Sequence, residues 1–203
     1  MRVDRPPPGE RLHDGPEVTP RLAASVVVMR HGQTGPEILF VQRHPDQRFM
    51  GGVWVFPGGA VDAGEEPPAT AVRELEEEAA IALDPEAELI PFVRWITPKE
   101  VSIRFDTWFF LTEAPPGQEG RCDGQECIDL RWLTAPDALA AHERDELMLV
   151  FPTIRTLQRL AGFESVEVAL STLRATDTES ITPRIIVKDD HAEVLLPGEP
   201  GYA

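Results

Sequence analysis

Between Gly59 and Ile81 a glycine turn runs into a segment that places four glutamates within five positions, Glu74, Glu76, Glu77 and Glu78. This segment constrains the fold more than any other. Pro67 and Pro68 suit the first turn of a helix and Pro85 stops one, so the spacing predicts a helix from Pro67 or Pro68 to about Leu83. At about 100° per residue, Glu74, Glu77 and Glu78 share one arc, while Val72, Leu75, Ala79 and Leu83 share the neighbouring one. One side of the helix can therefore be buried while another offers carboxylates. Like charges at helical spacing repel, so such a face calls for a cation. Hard divalent ions take oxygen ligands, which fits Mg²⁺ or Mn²⁺. Arg73 precedes the cluster and can pair with Glu65 across the loop, holding loop and helix in register.

The order of residues is Gly59, five residues, Glu65, seven residues, then Arg73-Glu74-Leu75, one residue, Glu77-Glu78, one residue, Ala80-Ile81. It resembles the signature of the Nudix hydrolases, which cleave diphosphates linked to another moiety. Ala80 stands where that signature has glycine. The resemblance implies an α/β fold, a mixed β-sheet sandwiched between helices. It also implies Glu74, Glu77 and Glu78 as metal ligands, joined by the Gly58 carbonyl, with Gly59, Glu65 and Arg73 supporting the motif. Relatives often add an acidic residue from a distant loop. Glu126 is the best candidate here, with Glu100 and Glu119 as runners-up. The catalytic set is then Glu74, Glu77, Glu78 and Glu126, with no one of them singled out as general base.

A second pattern lies upstream: Arg43, Arg48, Gly52 and Phe56-Pro57-Gly58-Gly59. With the tail Pro183–Tyr202, it resembles the peroxisomal-type coenzyme A diphosphatases, although His44 departs from the small residue expected there. A guanidinium fork suits phosphate, and coenzyme A carries a 3′-phosphate beyond its diphosphate, so Arg43 and Arg48 are candidate substrate contacts. The other reading is that they balance local acid or lie along the sheet edge. The resemblance implies hydrolysis of coenzyme A or acyl-coenzyme A. ADP-ribose or another nucleoside diphosphate derivative is the alternative, and a nucleotide sensor that does not cleave is a third reading. Trp54, Trp95 and Trp108 are core candidates before they are adenine-stacking ones.

With 35 acidic and 19 basic residues the chain carries a net charge of −16, which argues against nucleic acid or an anionic membrane as partner. A metal-filled carboxylate cluster reconciles that charge with an anionic small-molecule substrate. No run of residues has the length and hydropathy of a membrane span, and the N-terminus lacks a signal-peptide pattern. Nor does the final Tyr-Ala form a peroxisomal address. A cytoplasmic enzyme is expected, with Cys122 and Cys127 as reduced thiols. A homodimer is open.

Residues 1–20, rich in Pro, Gly and charge, are expected to form a flexible arm, 21–162 the Nudix domain, and 163–203 an extension packed on it. Strands are expected at 24–30, 37–43, 89–96, 101–112 and 127–133, with a short extended piece at 53–56. Helices are expected at 135–141, 143–161 and 164–175, followed by strands at 184–188 and 192–196.

Overall fold

The computed structural model describes residues 2–3, 10–12, 15–188 and 191–202. The strands are β1 (Arg2–Val3), β2 (Arg21–His31), β3 (Pro36–Arg43), β4 (Trp54–Val55), β5 (Gly58–Ala60), β6 (Ile90–Ile96), β7 (Phe105–Glu113), β8 (Cys127–Thr134), β9 (Glu179–Ile181), β10 (Arg184–Val187) and β11 (Ala192–Leu195). The helices are α1 (Pro67–Ala79), α2 (Ala135–Glu143), α3 (Phe151–Leu160) and α4 (Val166–Arg174). A mixed sheet runs in the order β4-β3-β2-β7-β6-β9, with β5 paired to β2 and β8 paired to β3. β2 runs parallel to β7 and antiparallel to both β3 and β5.

β2 is apolar on both faces because both are covered. Ala24, Val26 and Val28 pack with Ala71, Leu75 and Ala79 of α1. Val27 and Met29 face the opposite layer, where Ala138 of α2, Leu157 of α3 and Val166, Ala169 and Leu173 of α4 are buried. The result is the α/β sandwich that the resemblance implied. Among the described residues, no helix is long and apolar enough to cross a membrane.

α1 ends earlier than Pro85 predicted. Ala80 adopts the left-handed conformation (φ 52°, ψ 36°), and its amide donates to the Glu76 carbonyl, closing the helix after Ala79. The stretch 143–161 is not one helix. Asp145 has a positive φ of 59°, and α3 begins afresh at Phe151, with Pro152 at its start. A proline suits a first helical turn and disfavours a helix running into it, hence the break. The expected strand 101–112 begins only at Phe105; Val101 instead forms an isolated bridge to Leu12. β9, unforeseen in the sequence, adds a parallel edge to β6.

Of residues 163–203, α4 is buried against the main sheet, while β10 and β11 form a second sheet with β1. Of the 1–20 arm, residues 1, 4–9, 13 and 14 lie outside the described residues. The nearly buried Arg104 guanidinium donates to the Glu17 carboxylate (2.6 Å) and to the Val18 carbonyl (2.7 Å). The Arg11 carbonyl accepts from the Ser102 amide (2.9 Å).

Candidate active site

The sheet places β5 beside the carboxylate helix. Gly58 pairs with Ser25 and Gly59 with Ala24, so the turn after Phe56 lies flat on β2. A Cβ at Gly58 would sit 2.4 Å from the Ala24 carbonyl oxygen, and one at Gly59 would sit 2.2 Å from Glu74 Oε1. Both contacts are far inside van der Waals distance. Only glycine lets the strand lie so close to β2 and the Glu74 carboxylate so close to the strand.

Arg73 organises the charges. Its guanidinium donates to both oxygens of Glu65 (3.1 Å each), to Glu74 Oε1 (2.8 Å) and to Glu77 Oε2 (2.9 Å). Glu65, fixed also by the Thr70 hydroxyl (2.6 Å), is held down at a pKa of about 2 by these hydrogen bonds. Glu77 is the exposed member of the cluster. Burial raises the pKa of Glu74 above the ordinary carboxylate range, against the opposing pull of Arg73.

Glu78 is the buried member, 3% exposed. Burial raises its pKa to about 7, opposed by the Gly58 amide, which donates to Oε2 at 3.0 Å. The Cys127 thiol lies near enough to this carboxylate to favour its charged form. Cys127 opens β8 opposite Arg43, where the β3–β8 register shifts between Gln42 and Arg43. Both cysteines are free thiols, and burial pushes Cys127 well above the ordinary thiol range.

Among the described residues, no three acidic, histidine or cysteine side chains are already gathered around a point that could hold an ion. Instead, Arg73 bridges Glu74 and Glu77. The donor set nevertheless has the chemistry of a hard-cation site, since Glu74, Glu77 and Glu78 supply carboxylate oxygens on one helix face. The field of Glu126 reaches Glu74, and both line the same cavity. The Mg²⁺- or Mn²⁺-type ion expected from the sequence therefore fits these residues.

The other sequence candidates separate clearly. Arg43 lines the cavity with Gly58, Gly59, Glu74 and Glu126, and its buried Nε has no hydrogen-bond partner among the described residues. Arg48 is exposed on the 44–52 loop and does not line the cavity. Glu100 is engaged elsewhere, accepting from the Ile185 amide (3.4 Å) and lying 3.7 Å from Arg184. Glu119 pairs with Arg30 (2.6 Å). His44 is a turn residue whose Nδ1 accepts from the Asp46 amide (3.2 Å). Trp54 and Trp95 are buried in the core, and Trp95 also faces the cavity.

Two positions with a bearing on the site escaped the sequence reading. Asp123 accepts from the amides of Glu126 (2.9 Å) and Cys127 (2.9 Å), shaping the loop that carries Glu126. Cys127, buried at the start of β8, interacts electrostatically with Glu78. The Asp-x-x-Glu spacing was the available signal for the first, since a short acidic side chain readily caps amides two to four residues ahead.

The NUDIX domain family matches residues 19–151. The chain belongs to the Nudix family. Its Nudix domain is 31% identical over 124 residues to an 8-oxo-dGTP diphosphatase of Escherichia coli K12, an alignment covering 60% of this chain and 87% of that protein. It is 31% identical over 114 residues to a putative 8-oxo-dGTP diphosphatase 3 of Mycobacterium tuberculosis, covering 55% of this chain and 51% of the other. The chain spans about half the length of most of the curated relatives it matches. The crystal structure of a Nudix hydrolase from Alicyclobacillus acidocaldarius superposes with a TM-score of 0.69 at 29% identity, covering 79% of this chain and 99% of that one.

Proposed function

We propose that this Nudix domain is a metal-dependent diphosphatase acting on a nucleoside diphosphate linked to a second moiety, with coenzyme A or an acyl-coenzyme A as substrate. The observation that carries the reading is Arg43. It is a cavity-lining cation with an unspent buried donor, next to a carboxylate cluster that Gly58 and Gly59 hold against the backbone. A buried donor left unpaired is costly, and a phosphate oxygen would satisfy it.

In this reading Glu74, Glu77, Glu78 and Glu126 hold the divalent ion. That ion, when bound, neutralises phosphate oxygens and lowers the pKa of water. Arg43 positions the diphosphate, and Glu65 with Arg73 keeps the loop and helix at a fixed separation. Water adds to one phosphorus and the bridging P–O bond breaks. Coenzyme A and water thereby give 3′,5′-ADP and 4′-phosphopantetheine. Positioning and electrostatics supply most of the rate.

A second reading, hydrolysis of an oxidised nucleoside triphosphate, is favoured by the names of the curated relatives. A third, a sensor without turnover, is opposed by the complete set of carboxylates. The test is mass spectrometry of products from coenzyme A, ADP-ribose, NADH, a dinucleoside polyphosphate and 8-oxo-dGTP, with and without Mg²⁺ or Mn²⁺. Metal-dependent 3′,5′-ADP, formed faster than any other product, is the expected result. AMP from ADP-ribose, or 8-oxo-dGMP, as the main product overturns the coenzyme A assignment. If nothing is cleaved while Glu77→Gln keeps the wild-type nucleotide affinity, the protein is a sensor.

A further inference from the structure

Of the candidate carboxylates, Glu74 and Glu126 line the cavity, whereas Glu77 and Glu78 do not. The same space, about 1530 Å³, continues away from Glu74 and Glu126 along β7 to the C-terminal hairpin. Ligand pockets usually measure about 300–1,000 Å³, so the volume exceeds what a nucleoside diphosphate alone requires. Away from the carboxylates the lining is mixed, with Glu10, Arg11, Arg21, Lys188 and His191 among it, but one stretch is apolar. Phe105 and Phe109 of β7 form its floor, Val150 and α3 one side, and Ile185, Val187 and Val194 of β10 and β11 another.

This hairpin is fixed rather than loosely appended. β1 pairs with β11, the Glu100 carboxylate accepts from the Ile185 amide, and Arg184 Nη1 donates to the Tyr202 carbonyl (2.8 Å). The Tyr202 hydroxyl in turn donates to the Thr182 carbonyl (2.7 Å). Of the hairpin's own charges, Lys188 is paired to Glu193 at 2.6 Å.

We infer that the β10–β11 hairpin builds an apolar subsite, continuous with the diphosphate site, that receives a hydrocarbon chain carried by the substrate and limits its length. The occupant follows from continuity: a group lying along the apolar stretch must be joined to the one lying at the carboxylates. Apolar walls gain from burying hydrocarbon and leave the hydroxyls of a second sugar without partners. The inference rests on the diphosphatase reading but not on coenzyme A itself. It assigns Arg184–Val187 and Ala192–Leu195 the part of a specificity wall.

The test compares wild type with Ile185→Trp and Val187→Trp. Turnover would be measured with coenzyme A thioesters of two, six and ten carbons. Binding of alkyl diphosphates of the same lengths, which contain no coenzyme A, would be measured by calorimetry with Mg²⁺. One buried methylene is worth at most about fourfold. Four added methylenes give up to about 250-fold at full burial, so with partial burial a wild-type gain of at least about tenfold from two to six carbons is expected in kcat/KM or in affinity. Ile185→Trp should reduce that gain to within about twofold while two-carbon turnover persists, which also shows that the variant is folded. Val187 is 65% exposed, so its replacement tests the same wall without disturbing the core. Wild-type indifference to chain length, or an unchanged length ratio in both variants, would overturn the inference. Coenzyme A cleavage without length dependence keeps the enzyme reading and sinks the subsite. Length-dependent binding of alkyl diphosphates without coenzyme A cleavage does the reverse.

Discussion

Replacing Ala80 by glycine should make the protein more stable, although glycine introduced inside a helix does the opposite. Ala80 sits in the left-handed region at φ 52°, where its Cβ crowds the backbone, and it is exposed, so the methyl group packs on nothing. A non-glycine residue there costs about 1–2 kcal/mol. Glycine removes that strain but adds about 0.4–1 kcal/mol of unfolded-state entropy. The net gain is about 0.5–1 kcal/mol, or roughly 1–4 °C in melting temperature for a chain of this size. Ala161 supplies the control. It also caps a helix and is also exposed, but with a right-handed φ of −60°. Ala161→Gly has no strain to release and should lose about 0.4–1 kcal/mol through the same entropy. Thermal unfolding followed by circular dichroism, with urea titrations to confirm unchanged m-values, compares the two. Shifts in the same direction would refute the strain argument. So would an Ala80→Gly variant no more stable than wild type.

Three further outcomes can be checked. Glu78→Gln should lower metal-dependent turnover at least about 100-fold with little change in melting temperature, because it removes a buried ligand charge while keeping the side chain's shape; steady-state kinetics across a Mn²⁺ titration reads this. Asp123→Ala should weaken metal activation about 10–100-fold, with Asp123→Asn recovering part of it, because the side chain shapes the Glu126 loop from behind. Burial raises Glu10 from 4.5 to about 7, so the folded state binds the proton more tightly than the unfolded one. Stability should therefore fall as pH rises from about 4.5 to 7, and Glu10→Gln should melt higher than wild type at pH 8 but alike at pH 4. Equal melting temperatures at pH 8 would refute it.

The sequence revealed the carboxylate helix because its chemistry lies in local spacing. Glutamates at 74, 77 and 78 share a face whatever the rest of the chain does. The same local logic misplaced the end of α1. Pro85 was a visible stop, whereas the left-handed turn at Ala80 comes five residues earlier at a residue with no preference for it. Arg43 and Arg48 looked equivalent in the sequence. They part because β3 ends at Arg43 with a register shift against β8, which leaves Arg43 lining the cavity and Arg48 out on the loop. Cys127 acquires its role through pairing across that same register, a contact spanning 84 positions that no short window contains. The C-terminal hairpin read correctly as two strands, but its lining of the same cavity as Glu74 is a matter of tertiary packing alone.

The way Arg73 holds Glu74 and Glu77 carries a consequence for which ions the protein admits. An incoming ion has to compete with an internal guanidinium that is tethered, already oriented and singly charged. Sodium or potassium offers the same charge with no tether and gains nothing by the exchange. A divalent ion doubles the attraction and leaves Arg73 free to keep its two bonds to Glu65. In the proposed reading the arginine acts as a valence filter, keeping the cluster neutralised in the abundance of monovalent salt and yielding it to an ion of charge two.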